Sequence, residues 1–405
     1  MVSRLNPPRP EFRKSETLYN EMLSKYYTRL LEASQEGKFM AAHTVFFPVE
    51  ILYAMDIIPM HTEMTTWMTA MFLGEEAELL SAGAELGLAP EICSPHRGLA
   101  GAFLIKALPR PDVVLWSNLV CDNTAKSGEL IMKLNKCPGF FLDRPFQQSK
   151  EEMDYFVGEL RTMIDFLEQQ SGRKMNWDRL SEMVARMDKQ IKLLGEIAEL
   201  RKAVPSPYPF QGFLKLLSAD HLFSGQPEAI EFLEALRDEL AVMVKSGKGA
   251  VPKERFRIMT FFLPPLYLMG HLEKISQESG AVSVVEPMFT LWLEEGNLDP
   301  SKPLESVARK SFLIPESRSM YGPLTQRVLD EITQSAKDYK IDGAVYWAFI
   351  GCRHTCATIK LIKDTLNKID IPMLTVDCDL VDPTIGSKEE INEKLEHFFE
   401  LLEER

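Results

Sequence analysis

Apolar and polar positions recur along the chain in two rhythms, one of helical and one of strand period. After a polar, proline-punctuated start, Leu18, Met22, Tyr26, Leu30 and Leu31 predict an amphipathic helix within a lead-in of residues 1–37. From there the rhythm changes. Phe39–Phe47 reads as a strand closed by Pro48, and Pro48 also suits the first turn of a helix over Val49–Met55. Ile57–Met60 is a short strand leading to His61-Thr62-Glu63, and a helical stretch follows over Thr65–Leu86. The spacing next predicts helix over Leu99–Leu108, strand over 112–118, helix over 123–134 and strand over Gly139–Asp143. Strands alternating with helices in this way imply a parallel sheet covered on both faces.

Between residues 149 and 250 the pattern is one of long helices with charged faces, over 150–170, 176–203 and 227–246. Pro205-Ser206-Pro207-Tyr208-Pro209 interrupts them, and no stretch there has strand character. A second α/β unit follows. Its predicted order is strand Glu254–Phe262, helix 266–279, strand Ala281–Pro287, a connecting region and helix Leu324–Tyr339. Then come strand 343–350, a helix from Thr355, strand Pro372–Asp377, and a C-terminal helix from Ser387 with Glu390 at capping-box spacing. The expected organisation is an α/β domain over 38–148, a helical segment over 149–250 and a second α/β domain over 251–405. Neither unit carries a G-x-G-x-x-G or a Walker loop, which argues against nucleotide binding by those devices.

The chemistry of this pattern lies where strands stop. The apolar run Val345–Ile350, led in by Asp342-Gly343, ends at Gly351, so Cys352 falls at the C-terminal end of a strand, where open parallel sheets place ligands. Pro111–Val120 is another such run, ending in Cys121, and Cys93 follows an extended segment just before a helix. A helix N-terminus favours the thiolate, the form that ligates metal. Three thiolates from separate loops could meet in the cleft between the units, bind three irons of a cubane cluster and leave the fourth open. Zinc is the other soft-ligand candidate, although no C-x-x-C pair or H-x-x-x-H spacing supports it. The spacing alone fits three structural thiols equally well. Cys137 and Cys378 read as small core residues, and Cys356, one helical turn beyond Cys352, is the alternative ligand. His43, His61, His96 and His354 fall near element ends that border the same cleft, where a histidine can shuttle protons. Glu63, after a strand end, is the better carboxylate for acid–base work, whereas Glu50 reads as a surface residue on the first turn of a helix.

Composition narrows the partners. Of 405 residues, 45% are hydrophobic and 26% charged, ordinary for a globular protein. Six cysteines in a chain of this size suit a reducing compartment better than a disulfide framework. A formal net charge of −13 argues against nucleic-acid binding. Lys253, Arg255 and Arg257 offer a local basic patch or a solvated face. No apolar run reaches the ~18 residues of a membrane span, and Met1–Pro8 lacks a signal-peptide core. The expectation is a cytoplasmic protein with no membrane contact.

These residues resemble the 2-hydroxyacyl-CoA dehydratase and benzoyl-CoA reductase family of iron–sulfur enzymes, from Phe47-Pro48-x-Glu50 to the C-terminus. The likeness is carried by Cys93, Asn118-Leu119-Val120-Cys121, Gly172-Arg173-Lys174-x-x-x-Asp178, Arg255-Phe256-Arg257-Ile258, Asp342-Gly343 and Asp379-Leu380-Val381-Asp382-Pro383, in this order. The resemblance implies two Rossmann-like parallel-sheet domains with a helical segment between them. It implies one 4Fe–4S cluster per chain, held by Cys93, Cys121 and Cys352 with one open iron. It also implies an acyl-CoA substrate, a paralogous partner subunit or a second copy, and a separate ATP-hydrolysing iron–sulfur activator. In the dehydratases of the family the thioester carbonyl is thought to bind the open iron, and one-electron reduction to a ketyl leads to loss of water. The catalytic candidates are then His43, His61 and Glu63. The alternatives are a benzoyl-CoA reductase-type subunit or a non-catalytic electron-transfer subunit. Two departures stand out: His61-Thr62-Glu63 replaces a Pro-Glu-Asn of better-known members, and His43 stands where a double-cluster relative has a cysteine, which argues for a single cubane.

Overall fold

The computed structural model describes residues 9–210, 212–290, 297–321 and 324–405. Two four-stranded, all-parallel sheets organise it. The first holds β1 (Met40–His43), β2 (Ile58–His61), β3 (Val113–Ser117) and β4 (Gly139–Leu142) in the order β2-β1-β3-β4. The second holds β5 (Phe256–Phe261), β6 (Ala281–Val285), β7 (Gly343–Phe349) and β8 (Met373–Cys378) in the order β6-β5-β7-β8. This is an α/β fold with two Rossmann-like domains. The strand order reverses at the same place in each, between β1 and β3 and between β5 and β7. Beyond the carboxyl ends of strands at such a switch point lies the usual ligand crevice.

The central strands are buried at every position, and mostly apolar, because both of their faces are covered. Along β3, Val113 and Leu115 join the cluster that contains Phe156, Leu160 and Met183, from helices Lys150–Ser171 and Trp177–Arg201. Val114 and Trp116, pointing the other way, join Tyr19 and Met22 of the N-terminal helix Arg13–Glu36. Helix Thr124–Asn135 can sit against Trp116 only because it carries Gly128, where a Cβ would fall 2.3 Å from the indole. The helical segment is pinned to the second sheet by charge. Arg201, at the end of its helix, meets Glu286, just past β6, at 2.8 and 2.9 Å, with both side chains buried. Breaking such a pair strands a buried charge, which is why each partner holds the other in place.

Several elements differ from the sequence pattern. The first strand stops at His43, and the chain turns where Phe46 adopts a left-handed φ of 61°. The long helix of 65–86 is interrupted: helix Thr62–Met68 passes into a wider turn at Thr69–Leu73, Gly74 ends it at φ 67°, and helix Glu76–Glu85 starts anew. Helices Gly212–Leu222, Pro303–Leu313 and Pro315–Met320 lie where no helix was predicted. Gly212–Leu222 is buried on most sides and Pro315–Met320 is short, so neither shows the polar stripe by which an amphipathic helix is recognised. Pro303–Leu313, in contrast, sets exposed Glu305 against buried Leu304, Val307 and Ala308, a stripe the sequence reading passed over. Leu31, assigned to the apolar face of the first helix, is 62% exposed. The basic trio splits: Lys253 and Arg255 are exposed, as on a solvated face, and Arg257 is not. Arg257 is buried, pairs with Glu254 at 2.6 Å and donates to the carbonyl of Tyr339, while Arg255 pairs with Glu403. Among the described residues no helix is long and apolar enough to cross a membrane.

Candidate functional site

Cys121 and Cys352 occupy equivalent places in the two sheets, past the ends of β3 and β7, and the chain is turned at both by the same local device. Thr124 donates its hydroxyl to the carbonyls of Cys121 (2.5 Å) and Ser117. Thr355 donates to those of Cys352 (2.8 Å) and Phe349 (3.0 Å). A threonine three residues after the cysteine thus ties the thiol loop back to the strand it left. This repeated C-x-x-T is a sequence signal that a reading of strands and thiols alone passes over. Asn118 steadies the first loop further, donating to Asp143 at 2.7 Å and accepting from the Arg144 N–H at 2.8 Å. Arg353 and Asp122, the next residues after Cys352 and Cys121, pair at 2.5 Å across the crevice.

Cys93 is the N-cap residue of helix Ser94–Leu104, which a tertiary anchor presses onto the second unit. Ser94 donates to Asp379, and Arg97 forms a buried ion pair with Asp382. Asp379 also accepts the N–H groups of Val381 and Asp382, both at 2.9 Å. Beside Cys352 the approach is closer still, since a Cβ on Gly351 would lie 2.8 Å from both N and Cα of Cys93. Gly351→Ala is therefore expected to push the Cys93 and Cys352 loops apart without unfolding either sheet. The expected outcome is at least about a tenfold loss of bound metal, with an unchanged circular dichroism spectrum; full retention would show that the loops have slack.

The three thiols are reduced, partly exposed to the crevice and close enough to repel one another when ionised. Burial pushes the Cys93 thiol well up, and the neighbouring sulfurs of Cys121 and Cys352 push it further. Burial and Cys352 also raise Cys121, against the opposing N–H groups of Asn123 and Thr124. Burial raises Cys352 as well, outweighing the N–H and hydroxyl of Thr355. The helix N-termini were expected to make these groups thiolates; they act in that direction, but desolvation is larger. Ionising all three needs a positive centre among them. Among the described residues no three side chains surround one ion-sized point. An all-sulfur set that is close but spread out suits a multinuclear cluster, in which each thiolate takes a different metal, better than a single ion.

Beside the thiols the ends of β1 and β2 supply His43, His61 and Glu63, all buried. Burial lowers His43 to about 4 and keeps it neutral, with Nδ1 3.0 Å from the Thr44 carbonyl. His61, 5.2 Å from His43 between ring centres, is lowered further by burial and by His43 itself. Its Nδ1 accepts the Met64 N–H at 3.2 Å, which places the proton of the neutral ring on Nε2. Glu63 accepts from Val45 N–H (3.1 Å) and Thr62 hydroxyl (2.7 Å) through Oε2, while its buried Oε1 has no hydrogen-bond partner. Burial raises it to about 7. Oε1 lies 3.7 Å from His96 Nδ1, and His96 Nε2 lies 3.5 Å from Cys121 Sγ. His96, which the sequence placed only among rim histidines, has Nδ1 bonded to the Ser127 hydroxyl at 2.9 Å, so its ring stands beside Glu63 and Cys121 without bonding the carboxylate. His354 is only half-buried.

Glu50 corrects the sequence reading. It is not a surface residue but 2% exposed, and its carboxylate meets Lys310 Nζ at 2.9 Å. The first turn of a short helix was a sound place for an exposed carboxylate, but this helix faces inward and Lys310 arrives from a helix that was not predicted. Cys356 is exposed and its sulfur points to the Phe349 carbonyl at 3.4 Å. Cys378 is buried in the second core, and Cys137 packs against the first.

Comparison with known proteins agrees with this layout. A family model, 2-hydroxyglutaryl-CoA dehydratase D-component, matches residues 44–402. A benzoyl-CoA reductase subunit of Thauera aromatica is 25% identical over 413 residues, covering 95% of this chain and 94% of its own. The (R)-2-hydroxyisocaproyl-CoA dehydratase alpha subunit of Clostridioides difficile is 24% identical over 98% of both chains. The (R)-phenyllactyl-CoA dehydratase alpha subunit of Clostridium sporogenes is 23% identical over 96% of both. With a match that runs from just after β1 to the last helix, through all three thiol loops, this chain belongs to the 2-hydroxyglutaryl-CoA dehydratase D-component family.

Proposed function

We propose that the chain is the iron–sulfur subunit of a 2-hydroxyacyl-CoA dehydratase, an enzyme that eliminates water from an acyl-CoA thioester by radical chemistry. The observation that carries this reading is the meeting of three thiol loops, two of them at equivalent switch points, in a chain with this family membership. Cys93, Cys121 and Cys352 would hold one 4Fe–4S cluster, whose fourth iron would supply a Lewis acid and a one-electron donor for the thioester carbonyl. The chain's own contributions are positional and protonic. Ser94–Asp379 and Arg97–Asp382 keep the two halves together around the crevice. Glu63, raised to about 7, can carry the proton that the departing hydroxyl takes up. His96, oriented by the Ser127 hydroxyl at 2.9 Å, stands between Glu63 and Cys121 and separates that carboxyl from the thiols. Neutral His43 and His61 form the wall behind it.

The dehydratase relatives are named as alpha subunits, which supports a paralogous partner here, with a separate ATP-hydrolysing activator delivering the electron. Benzoyl-CoA reductase among the relatives keeps ring reduction as the second reading. One assay tests both. Protein purified anaerobically with its partner should contain iron and sulfide and, with a low-potential donor, convert a 2-hydroxyacyl-CoA into the 2-enoyl-CoA. Reduction of benzoyl-CoA in its place would favour the second reading, and absence of iron would end both.

A further inference from the structure

Beside the acid–base residues lies a cavity of ≈ 60 Å³ that none of the chemistry above uses. His61 forms part of its wall and stands 3.7 Å from Glu63, so the cavity adjoins the acid–base residues. Much of the rest is soft and apolar: Met64, Trp67, Met68, Met71, Phe72 and Leu217 line it. Methionine and aromatic walls adapt their shape to an apolar guest and offer it few hydrogen bonds. Tyr19, Met71, Phe72 and Leu214 also border a groove of ≈ 290 Å³, so the two spaces adjoin.

The polar groups at this wall are neutral or already paired, and among the described residues its one buried donor without a partner, the Trp67 indole N–H, carries no charge. Tyr19 and Ser218 hydrogen-bond each other at 3.2 Å. His61 is neutral. Burial disfavours the His221 cation, but Glu316 at 3.0 Å and Asp220 behind it outweigh burial. His221 therefore meets the cavity with its ring already engaged by Glu316. The nearby Lys310 is held by Glu50 and Asp220. Among the described residues around the cavity, a carboxylate would find no basic group that is not already paired with a carboxylate. Burying a charge without a partner is costly, whereas each added methylene is favoured.

We propose that this cavity binds the acyl part of the thioester and that its lining selects an uncharged, apolar acyl group, aliphatic or aromatic, over a dicarboxylic one. The proposal rests on the acyl-CoA reading given above and goes further by naming the acyl class. The test is calorimetric titration of the full chain, with any protein that co-purifies, using hexanoyl-CoA, glutaryl-CoA and acetyl-CoA. Hexanoyl-CoA is expected to bind at least about tenfold more tightly than either of the others. Leu214→Arg, which puts a guanidinium on the wall, should shift the glutaryl-to-hexanoyl affinity ratio at least about tenfold toward glutaryl. Should that variant not fold, Met71→Trp, which fills part of the cavity, should lower the hexanoyl-to-acetyl ratio by a similar factor. Wild-type protein that binds glutaryl-CoA within about threefold of hexanoyl-CoA, or a folded variant that leaves its ratio unmoved, overturns the acyl class while leaving the acyl-CoA reading intact. Failure to bind any of the three esters overturns both.

Discussion

Cys121→Ser is expected to leave a folded protein that, purified anaerobically, has lost its iron and sulfide and turns over at background. A serine hydroxyl is a harder ligand than a thiol and stays protonated, so one corner of a soft-metal cluster loses its anchor. The fold should tolerate the change because what shapes this loop is not the sulfur. Asn118 bonded to Asp143 and Arg144, and Thr124 bonded to the Ser117 and Cys121 carbonyls, remain in place. Cys356→Ser is the matched control: its sulfur points to the Phe349 carbonyl from an exposed helical position, so iron content should not change. Iron analysis with circular dichroism on both variants decides the matter. Equal iron in Cys121→Ser and wild type would remove this residue from the ligand set.

Glu63→Gln should reduce turnover by about 10²–10⁴, the range associated with a positioned acid or base. It should also erase any limb of the pH–rate profile near 7, where burial has put this carboxyl. Stability supplies an independent readout. The folded group is raised from 4.5 to about 7, so between those values the unfolded chain ionises while the folded one keeps its proton. Protein stability therefore falls as pH rises through that window and levels off above it, by at most about 3 kcal/mol from this group. The amide cannot ionise, so the variant should lose less stability than wild type between pH 4.5 and 7. Denaturant titrations across the window measure this. A variant with wild-type turnover and an unaltered stability slope would make Glu63 a structural residue only.

Much of the architecture was written in local pattern. β3, β5 and β7 were legible because a strand covered on both faces is apolar at most positions, and such runs stand out between polar turns. The thiols at the ends of β3 and β7 were legible for the same reason, since a strand end and a helix start mark the crevice side of a parallel sheet. Less visible was anything whose neighbours come from elsewhere in the chain. Glu50 looked exposed because its partner, Lys310, is 260 residues away. Helix Gly212–Leu222 gave no amphipathic signal because nearly all of it is buried. Phe39–Phe47 looked like one long strand, yet pairing with β2 and β3 ends at His43 and the next residues turn away.

What the sequence determined by itself is the alternation of strand and helix, the place of each thiol at the mouth of a crevice, and the family these residues resemble. Those properties depend on near neighbours and on period, which a linear chain displays. Tertiary structure alone decided that the loops of Cys93 and Cys352 touch at Gly351, that Glu63 is desolvated with one oxygen unpartnered, and that an apolar cavity opens beside His61. Proximity, burial and enclosed volume arise when distant segments pack, and desolvation can then reverse the tendency a helix terminus alone would impose on a thiol.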